Sequence, residues 1–223
     1  MSGTWGTAQE IPGTAGLNAG GFAAVTSVSC ATAGNCSAAG YYVDSAGDQQ
    51  VFVVTQANGA WGTAVKVPGL TSLDNSGIPV VTSVSCGSAG NCSAGGSYQD
   101  GHGHRQVFVV AQANGIWGTA KEVPGTARLN TVGAQVNSVS CGAAGDCSAG
   151  GTYSDSGSTS QAFVVTQANG TWGTAQEIPG MASLAPNGGK ITSVSCAAAN
   201  RCSAGGQYGD SADNLQAFVV AES

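Results

Sequence analysis

The sequence is poor in charge. Only 8% of its 223 residues are charged, against roughly 25% in an average soluble protein. Six basic and twelve acidic residues give a net charge of −6, and no basic stripe is visible. Because a nucleic-acid groove needs clustered Lys and Arg to displace counterions, we expect no nucleic-acid partner. The apolar runs are only a few residues long, so we also expect no membrane span.

Groups that carry chemistry are equally scarce. The only two histidines, His102 and His104, lie in one loop, so we predict no metal site there. The stretch 44–48 resembles part of a calcium loop but lacks the remaining ligands and the terminal Glu. No G-x-S-x-G nucleophile motif occurs. The carboxylates that recur in each unit would have equivalent environments. They would therefore not form a catalytic pair in which one acts as the acid and the other as the base. We therefore predict that the chain is not an enzyme and needs no cofactor.

What the sequence does contain is a unit of about 55 residues written four times. One tryptophan marks each unit: Trp5, Trp61, Trp117 and Trp172. With 42% hydrophobic residues and 36 glycines, the chain is better described as folded than as disordered. A regular period of this size predicts a solenoid, a propeller or an array.

Eight cysteines keep the same period as four C-x5-C pairs. We predict four disulfides within the units: Cys30–Cys36, Cys86–Cys92, Cys141–Cys147 and Cys196–Cys202. Zinc is the competing interpretation, but structural zinc prefers a C-x2-4-C spacing with a second ligand pair nearby. Disulfides imply an oxidising compartment, so we expect a secreted protein. No signal peptide precedes the first unit, and we expect a mature or excised segment.

The second unit predicts four antiparallel strands. Residues 80–86 and 92–98 place two cysteines on either side of a turn of small residues. Residues 106–110 are apolar on consecutive positions, as in a strand buried on both faces. Asn114-Gly115 is a strong hairpin signal, and the fourth strand covers 117–124.

Four such sheets with two apolar faces predict an all-β fold, a four-bladed β-propeller of four-stranded antiparallel blades. We expect a single domain, 1–223, in which strand 1–13 completes the last blade and so removes an exposed edge. The predicted blades cover approximately 22–69, 78–125, 134–180 and 189–223. A monomer is the simplest form of this prediction. A strand-swapped dimer or an eight-bladed ring of two chains stays open as the alternative.

The repeat resembles a known type of protein. The stretches 193–206 and 161–180 carry the pattern S-V-S-C-x5-C-S-A-G-G-x-Y and Q-A-F-V-V followed by N-G-x-W-G-T-A-x-E-x-P-G. These motifs resemble repeats of secreted actinobacterial proteins of β-propeller type. The resemblance covers essentially the whole chain and implies an extracellular repeat module. It implies no catalytic activity and no residue-level site. Ala39 and Lys66 depart from the pattern.

Polar residues also recur at fixed places in the units. Each unit has a Tyr-x-Asp before the loop that joins its second and third strands, and a Gln after it. The candidate ligand-binding residues are Tyr42, Asp44, Gln50, Tyr98, Asp100, Gln106, Tyr153, Asp155, Gln161, Tyr208, Asp210 and Gln216. An aromatic ring beside a carboxylate and an amide suits a sugar. The alternative is structural: Asp caps the loop, and Gln bridges blades.

The predicted function follows from this repetition. We expect a secreted, non-catalytic module that binds carbohydrate at several weak sites, in the manner of a lectin. The alternative is a purely structural or protein-interaction propeller, in which the repeated Tyr, Asp and Gln only hold the blades together.

Overall fold

A computed structural model describes residues 3–75 and 77–222 of the chain. Residues 1 and 2 of the predicted closing strand, and residue 223 of the predicted last blade, lie outside the described residues. The described chain forms four antiparallel sheets, one for each repeat. We call these sheets blades 1 to 4 in chain order. No helix within the described ranges is long and apolar enough to cross a membrane.

The elements repeat from blade to blade. Blade 1 contains β1 (Ala23–Thr32), β2 (Asn35–Val43), β3 (Gln49–Ala57), β4 (Ala60–Trp61) and β5 (Val65–Lys66). Blade 2 contains β6 (Val80–Ser88), β7 (Asn91–Gln99), β8 (Arg105–Ala113), β9 (Ile116–Trp117) and β10 (Lys121–Glu122). Blade 3 contains β11 (Ala134–Ala143), β12 (Asp146–Ser154), β13 (Ser160–Ala168), β14 (Thr171–Trp172) and β15 (Gln176–Glu177). Blade 4 contains β16 (Gly189–Ala198), β17 (Arg201–Gly209) and β18 (Leu215–Ala221).

In blades 1, 2 and 3 the predicted fourth strand is in fact two short pieces. In blade 1 both β4 and β5 pair with β3, and the chain bends away between them. In that bend the amide of Ala64 donates to the carbonyl of Pro12, at 2.7 Å, instead of to its own sheet. Ala120 and Ala175 donate to Pro68 and Pro124 in the same way. The interruption therefore ties each blade to the segment that precedes it.

The predicted hairpins are present. Asn58, Asn114 and Asn169 have φ values of 50 to 51°, and a glycine with positive φ follows each of them. Asn and Gly are the residues that tolerate this left-handed conformation in a two-residue turn. The four predicted disulfides are confirmed: Cys30–Cys36, Cys86–Cys92, Cys141–Cys147 and Cys196–Cys202. Four disulfides indicate an oxidising environment.

Four short helical turns were not expected from the sequence. They precede the first strand of each blade: α1 (Thr14–Leu17), α2 (Leu70–Leu73), α3 (Thr126–Leu129) and α4 (Met181–Leu184). A glycine with φ between 77° and 88° starts each turn. That conformation follows from the Pro-Gly pair that ends every outer strand, because Gly adopts positive φ without steric cost.

Consecutive blades pack face to face through aliphatic side chains. We call the face toward the preceding blade the leading face, and the face toward the next blade the trailing face. Val51 and Val53, on the trailing face of blade 1, share one core cluster with Val81 and Val84 of blade 2. Two further clusters join blade 2 to blade 3 and blade 3 to blade 4. The core is therefore a series of interfaces between neighbouring sheets.

Serine hydroxyls connect the first strands of neighbouring blades. The oxygens Ser27 Oγ and Ser29 Oγ accept hydrogen bonds from the amides of Val84 and Cys86, at 3.0 and 3.1 Å. The same pair of bonds joins blade 2 to blade 3 and blade 3 to blade 4. The S-V-S sequence thus has a structural role, since alternate residues of a strand point to the same side.

The predicted closure of the ring within one chain is not formed in this structure. Residues 3–11 contain no strand, and β18 has no outer partner among the described residues. Trp5 is 98% exposed. The carbonyl of Pro12 is bound to blade 1 in the same way that Pro68 and Pro124 are bound to blades 2 and 3. No core cluster of the described chain joins blade 4 to blade 1.

Candidate functional site

The four aspartates of the repeated Tyr-x-Asp motif cap the loops in which they lie. In blade 1, Asp44 Oδ1 accepts from the amides of Ala46 and Asp48, at 2.9 and 3.2 Å, and its Oδ2 accepts from Gln50 Nε2 at 3.0 Å. Asp100, Asp155 and Asp210 make the equivalent three bonds in their own loops. Both oxygens of each carboxylate are therefore engaged by the protein, as in the structural alternative.

These bonds also change the acidity of the aspartates. The amide of Gln161 and the backbone of Thr159 and Gly157 lower the pKa of Asp155, because they bind its charged form. The pKa of Asp210 is lowered in the same way, chiefly by the hydrogen bond from the backbone N–H of Asn214. At Asp44 burial acts in the opposite direction, but the three hydrogen bonds together still leave the pKa below its usual range. The loops thus hold ionised carboxylates.

Three of the four candidate tyrosines are buried. Tyr42, Tyr98 and Tyr153 are only 2 to 3% exposed, so a sugar has no free ring face to stack on. The hydroxyl of Tyr98 donates to Glu122 Oε2 at 2.9 Å, and Tyr153 donates to Glu177. Burial first, and then the carboxylate acceptor, raise the pKa of both phenols. These pairs hold the outer strand of the blade against its second strand.

The four units differ at this pair. Blade 1 has Lys66 where blades 2 and 3 have the acceptor Glu, and in the described chain the Tyr42 hydroxyl has no side-chain partner. Tyr208 of blade 4 is only half-buried, because blade 4 lacks the outer strand that would bring a Glu to it. Tyr208 is therefore the one candidate tyrosine with an accessible ring in the described part of the chain.

The candidate glutamines fall into two groups. Gln50 and Gln106 are buried, whereas Gln161 is half-buried and Gln216 is exposed. Each one donates to the aspartate of its own loop. Gln106 also accepts from Asn130 Nδ2 of the next unit at 3.2 Å, which is a bridge between blades.

A groove lies between blades 3 and 4 at the rim that carries these loops. Its volume is about 400 Å³. It is lined by Thr152, Ser160, Asn187, Gly188, Gly189, Lys190, Gln207, Tyr208, Gly209 and Leu215. We call it the rim groove.

The lining of the rim groove is mostly apolar, with a few polar groups and one cation. Asn187, Gln207, Thr152 and Ser160 supply amides and hydroxyls, and Lys190 supplies an amine where the other units have Ala, Val or Gln. The sequence contained this signal, because Lys190 is the only charged residue at its position in the repeat. The residues that all units share do not include it.

The described residues contain no group of three or more His, Cys, Asp or Glu side chains placed to hold a metal ion. His104 Nδ1 lies 3.9 Å from Asp100 Oδ2, within its own loop. The tryptophans vary in exposure, from 8% at Trp117 to nearly full exposure at Trp5. Trp117 lies in the core cluster that blades 1 and 2 share.

No family model matches this chain, and no curated protein does either. Several solved structures resemble it, and two of them illustrate the likeness. One is the Hadza microbial sialidase Hz136, with a TM-score of 0.55 and 9% identity over 89% of this chain. The other is a subtype N11 neuraminidase-like protein of A/flat-faced bat/Peru/033/2010 (H18N11), with a TM-score of 0.46 and 14% identity over 86% of this chain. The chain spans 44% and 52% of their lengths.

These comparisons correct one prediction from the sequence. The chain was expected not to be an enzyme, and the likeness contradicts this, because a solved structure that shares its fold is a sialidase. The absence of a familiar catalytic motif was a weak argument, since the same fold supports many chemistries. At 9% identity the likeness shows the fold alone: the chain is an all-β protein of propeller type.

Proposed function

We propose that this chain is a secreted, carbohydrate-directed propeller module of four blades, and that the rim groove is its sugar site. The observation that carries the proposal is the groove itself: a concave surface of about 400 Å³ at one rim, lined by amides, hydroxyls, one amine and one half-exposed tyrosine. Sugar sites combine an aromatic surface with a few convergent polar groups in this way.

Two further facts support a glycan as the ligand. A solved structure with the same fold is a sialidase, so this fold is used for carbohydrate chemistry. The amine of Lys190 adds a preference, because an ammonium group attracts a carboxylate and is repelled by cations. We therefore expect acidic sugars to bind more tightly than neutral ones, and the preference to weaken as salt is added.

The repeated aspartates and buried tyrosines act in this proposal as supports. They fix the rim loops on which the groove is built, and they contact no ligand. The sugar therefore binds in the rim groove and not at the four equivalent loops. The expected stoichiometry is one sugar per chain.

A glycan array followed by titration calorimetry tests the proposal, with a sialoside turnover assay on the same protein. The variant is Lys190→Gln, and the matched control is Lys121→Gln, an exposed lysine on blade 2. We expect binding of acidic glycans at one equivalent per chain, a loss of roughly tenfold for the Lys190 variant, and no change for the control.

Each outcome is informative. Turnover that Lys190→Gln abolishes would make the groove an active site. Binding that the Lys190 variant leaves unchanged would place the sugar elsewhere. No binding and no turnover with any glycan would overturn the proposal in favour of a structural or protein-interaction module.

A further inference from the structure

The two ends of the blade series expose apolar faces. On the leading face of blade 1, Val25 and Val28 are 48% and 59% exposed, whereas the equivalent Val81 and Val84 are 1% and 5% exposed. On the trailing face of blade 4, Val219 is 87% exposed, whereas the equivalent Val109 of blade 2 is 1% exposed. Each face is half of an interface that the chain forms three times internally.

The polar groups at the two faces are complementary as well. At every internal interface two serine hydroxyls of one blade accept hydrogen bonds from two backbone amides of the next blade. In the described chain, Ser193 and Ser195 of blade 4 accept no such bond. The amides of Val28 and Cys30, at the equivalent places in blade 1, likewise have no serine partner among the described residues. The donors lie at one end and the acceptors at the other.

The outer edge shows the same relation. β18 lacks an outer partner in the described chain, and the segment 4–12 has the sequence of an outer strand but forms no strand pairing there. In blade 2, Lys121 pairs with Val109 and Glu122 pairs with Phe108. Transferred to the free ends, this register pairs Gln9 with Val219 and Glu10 with Phe218. Glu10 would then reach the Tyr208 hydroxyl, as Glu122 reaches Tyr98.

From these observations we infer that the trailing face of blade 4 binds the leading face of blade 1 of a second copy of this chain. The second copy's segment 4–12 supplies the missing outer strand of blade 4. The contact is head to tail, because the two faces differ, and such contacts build closed rings, of two chains or more, or longer series. This inference is independent of the proposed sugar site.

The accessible surface supports an unfilled interface. The chain exposes 10683 Å². A compact monomer of 21.6 kDa is expected to expose about 9,200 Å². The excess, about 1,500 Å², is of the size that a stable protein–protein interface buries. A second copy is the occupant that matches best, because it carries the same side chains that already fill three such interfaces.

Light scattering on a sizing column tests the inference, using the oxidised 223-residue chain at tens of micromolar. We expect a mass of at least twice the chain mass. Val28→Glu on the leading face and Val219→Glu on the trailing face should each give a single-chain mass. Ile116→Glu, an exposed position on the perimeter, is the matched control and should leave the assembly intact. Circular dichroism verifies that each variant is folded.

A mixing experiment tests the head-to-tail geometry. A chain with Val28→Glu keeps its trailing face, and a chain with Val219→Glu keeps its leading face. Mixed in equal amounts, the two single-chain variants should form a complex of one chain each, with one intact interface. A dimer in which like faces pair with each other could not be rescued in this way.

The contradicting results are equally clear. A wild-type protein that runs as a single chain at these concentrations would overturn the inference, whether its faces stay free or close on each other. Failure of the two variants to combine would overturn the head-to-tail arrangement. Removal of residues 3–10 without any weakening of the assembly would overturn the role of the strand.

Discussion

Trp117 Nε1 of blade 2 donates a hydrogen bond to Thr55 Oγ1 of blade 1, at 3.3 Å. The same hydroxyl oxygen accepts from Gln112 Nε2 at 2.6 Å. At the next interface the position of Thr55 is occupied by Ala111, and there both Trp172 Nε1 and Gln167 Nε2 are buried without a partner. One missing hydroxyl therefore leaves two donors unsatisfied.

Replacement of Ala111 by Thr should stabilise the protein. The side chain fits, because Thr55 and Thr166 occupy the same place in blades 1 and 3. A buried donor without a partner costs about 1–3 kcal/mol, so we expect a gain of about 1–2 kcal/mol. In a chain of this size such a gain raises the melting temperature by roughly 2–8 °C, which a calorimetric scan measures.

Two variants control this result. Ala113→Thr adds the same group at an exposed position of the same strand and should have little effect. Thr55→Ala removes the hydroxyl from the first interface and should destabilise by a similar amount. If Ala111→Thr lowers the melting temperature, the two donors are satisfied in another way and the explanation fails.

The capping aspartates should make stability depend on acid pH. Their pKa values are lowered in the folded state, so their contribution is fully present above the unfolded value of about 3.9. It is lost as the pH falls through the lower folded values. Replacing all four by Asn should reduce stability at neutral pH and flatten its decline below about pH 4. Urea unfolding between pH 3 and 7 measures both effects.

A local comparison within one loop separates capping from general charge effects. Asp44→Asn should weaken the protection of the Ala46 and Asp48 amides against hydrogen exchange, because their acceptor loses its charge. Asp48→Asn, an exposed change in the same loop, should leave the Ala46 amide unaffected. Equal loss from both variants would argue against a specific cap.

Lys66→Glu should give blade 1 the pair that blades 2 and 3 already have. Lys66 pairs with Phe52 as Glu122 pairs with Phe108, so a Glu at this position lies within reach of Tyr42. One hydrogen bond to a charged acceptor contributes about 1.5–3 kcal/mol at most. The pKa of Tyr42, already raised by burial, should rise further, and alkaline absorbance titration detects this. Lys121→Glu makes the same charge change at an exposed position. It should neither add a hydrogen bond to Tyr42 nor raise the pKa of Tyr42.

The repeat predicted much of the fold because its signals are local. Paired cysteines around a short turn, Asn-Gly hairpins and an all-apolar third strand each define their own element. The helical turns after each Pro-Gly, and the break between β4 and β5, depend on a neighbouring blade. Ala64 turns its amide toward Pro12 only because another segment lies there. Such contacts leave no periodic pattern in one unit.

The proposed site was harder to predict for a related reason. Asp and Gln recur in every unit because each loop needs the same cap. In blades 2 and 3 the repeated Tyr also anchors the outer strand. Repetition in this chain therefore indicates folding more than binding. The rim groove is lined by residues that a single unit changes, such as Lys190 and Gly189. Differences between units were the more informative pattern.

The core clusters join only consecutive blades. The stability of the chain is therefore a sum of the stabilities of single blades and of the interfaces between neighbours. Opening an interior blade breaks two interfaces, whereas opening an end blade breaks one. Hydrogen exchange should therefore be fastest in the terminal units and slowest in blades 2 and 3. For the same reason a gene encoding this protein can gain or lose whole units without redesigning any contact. Every added unit brings one more interface of a kind already formed.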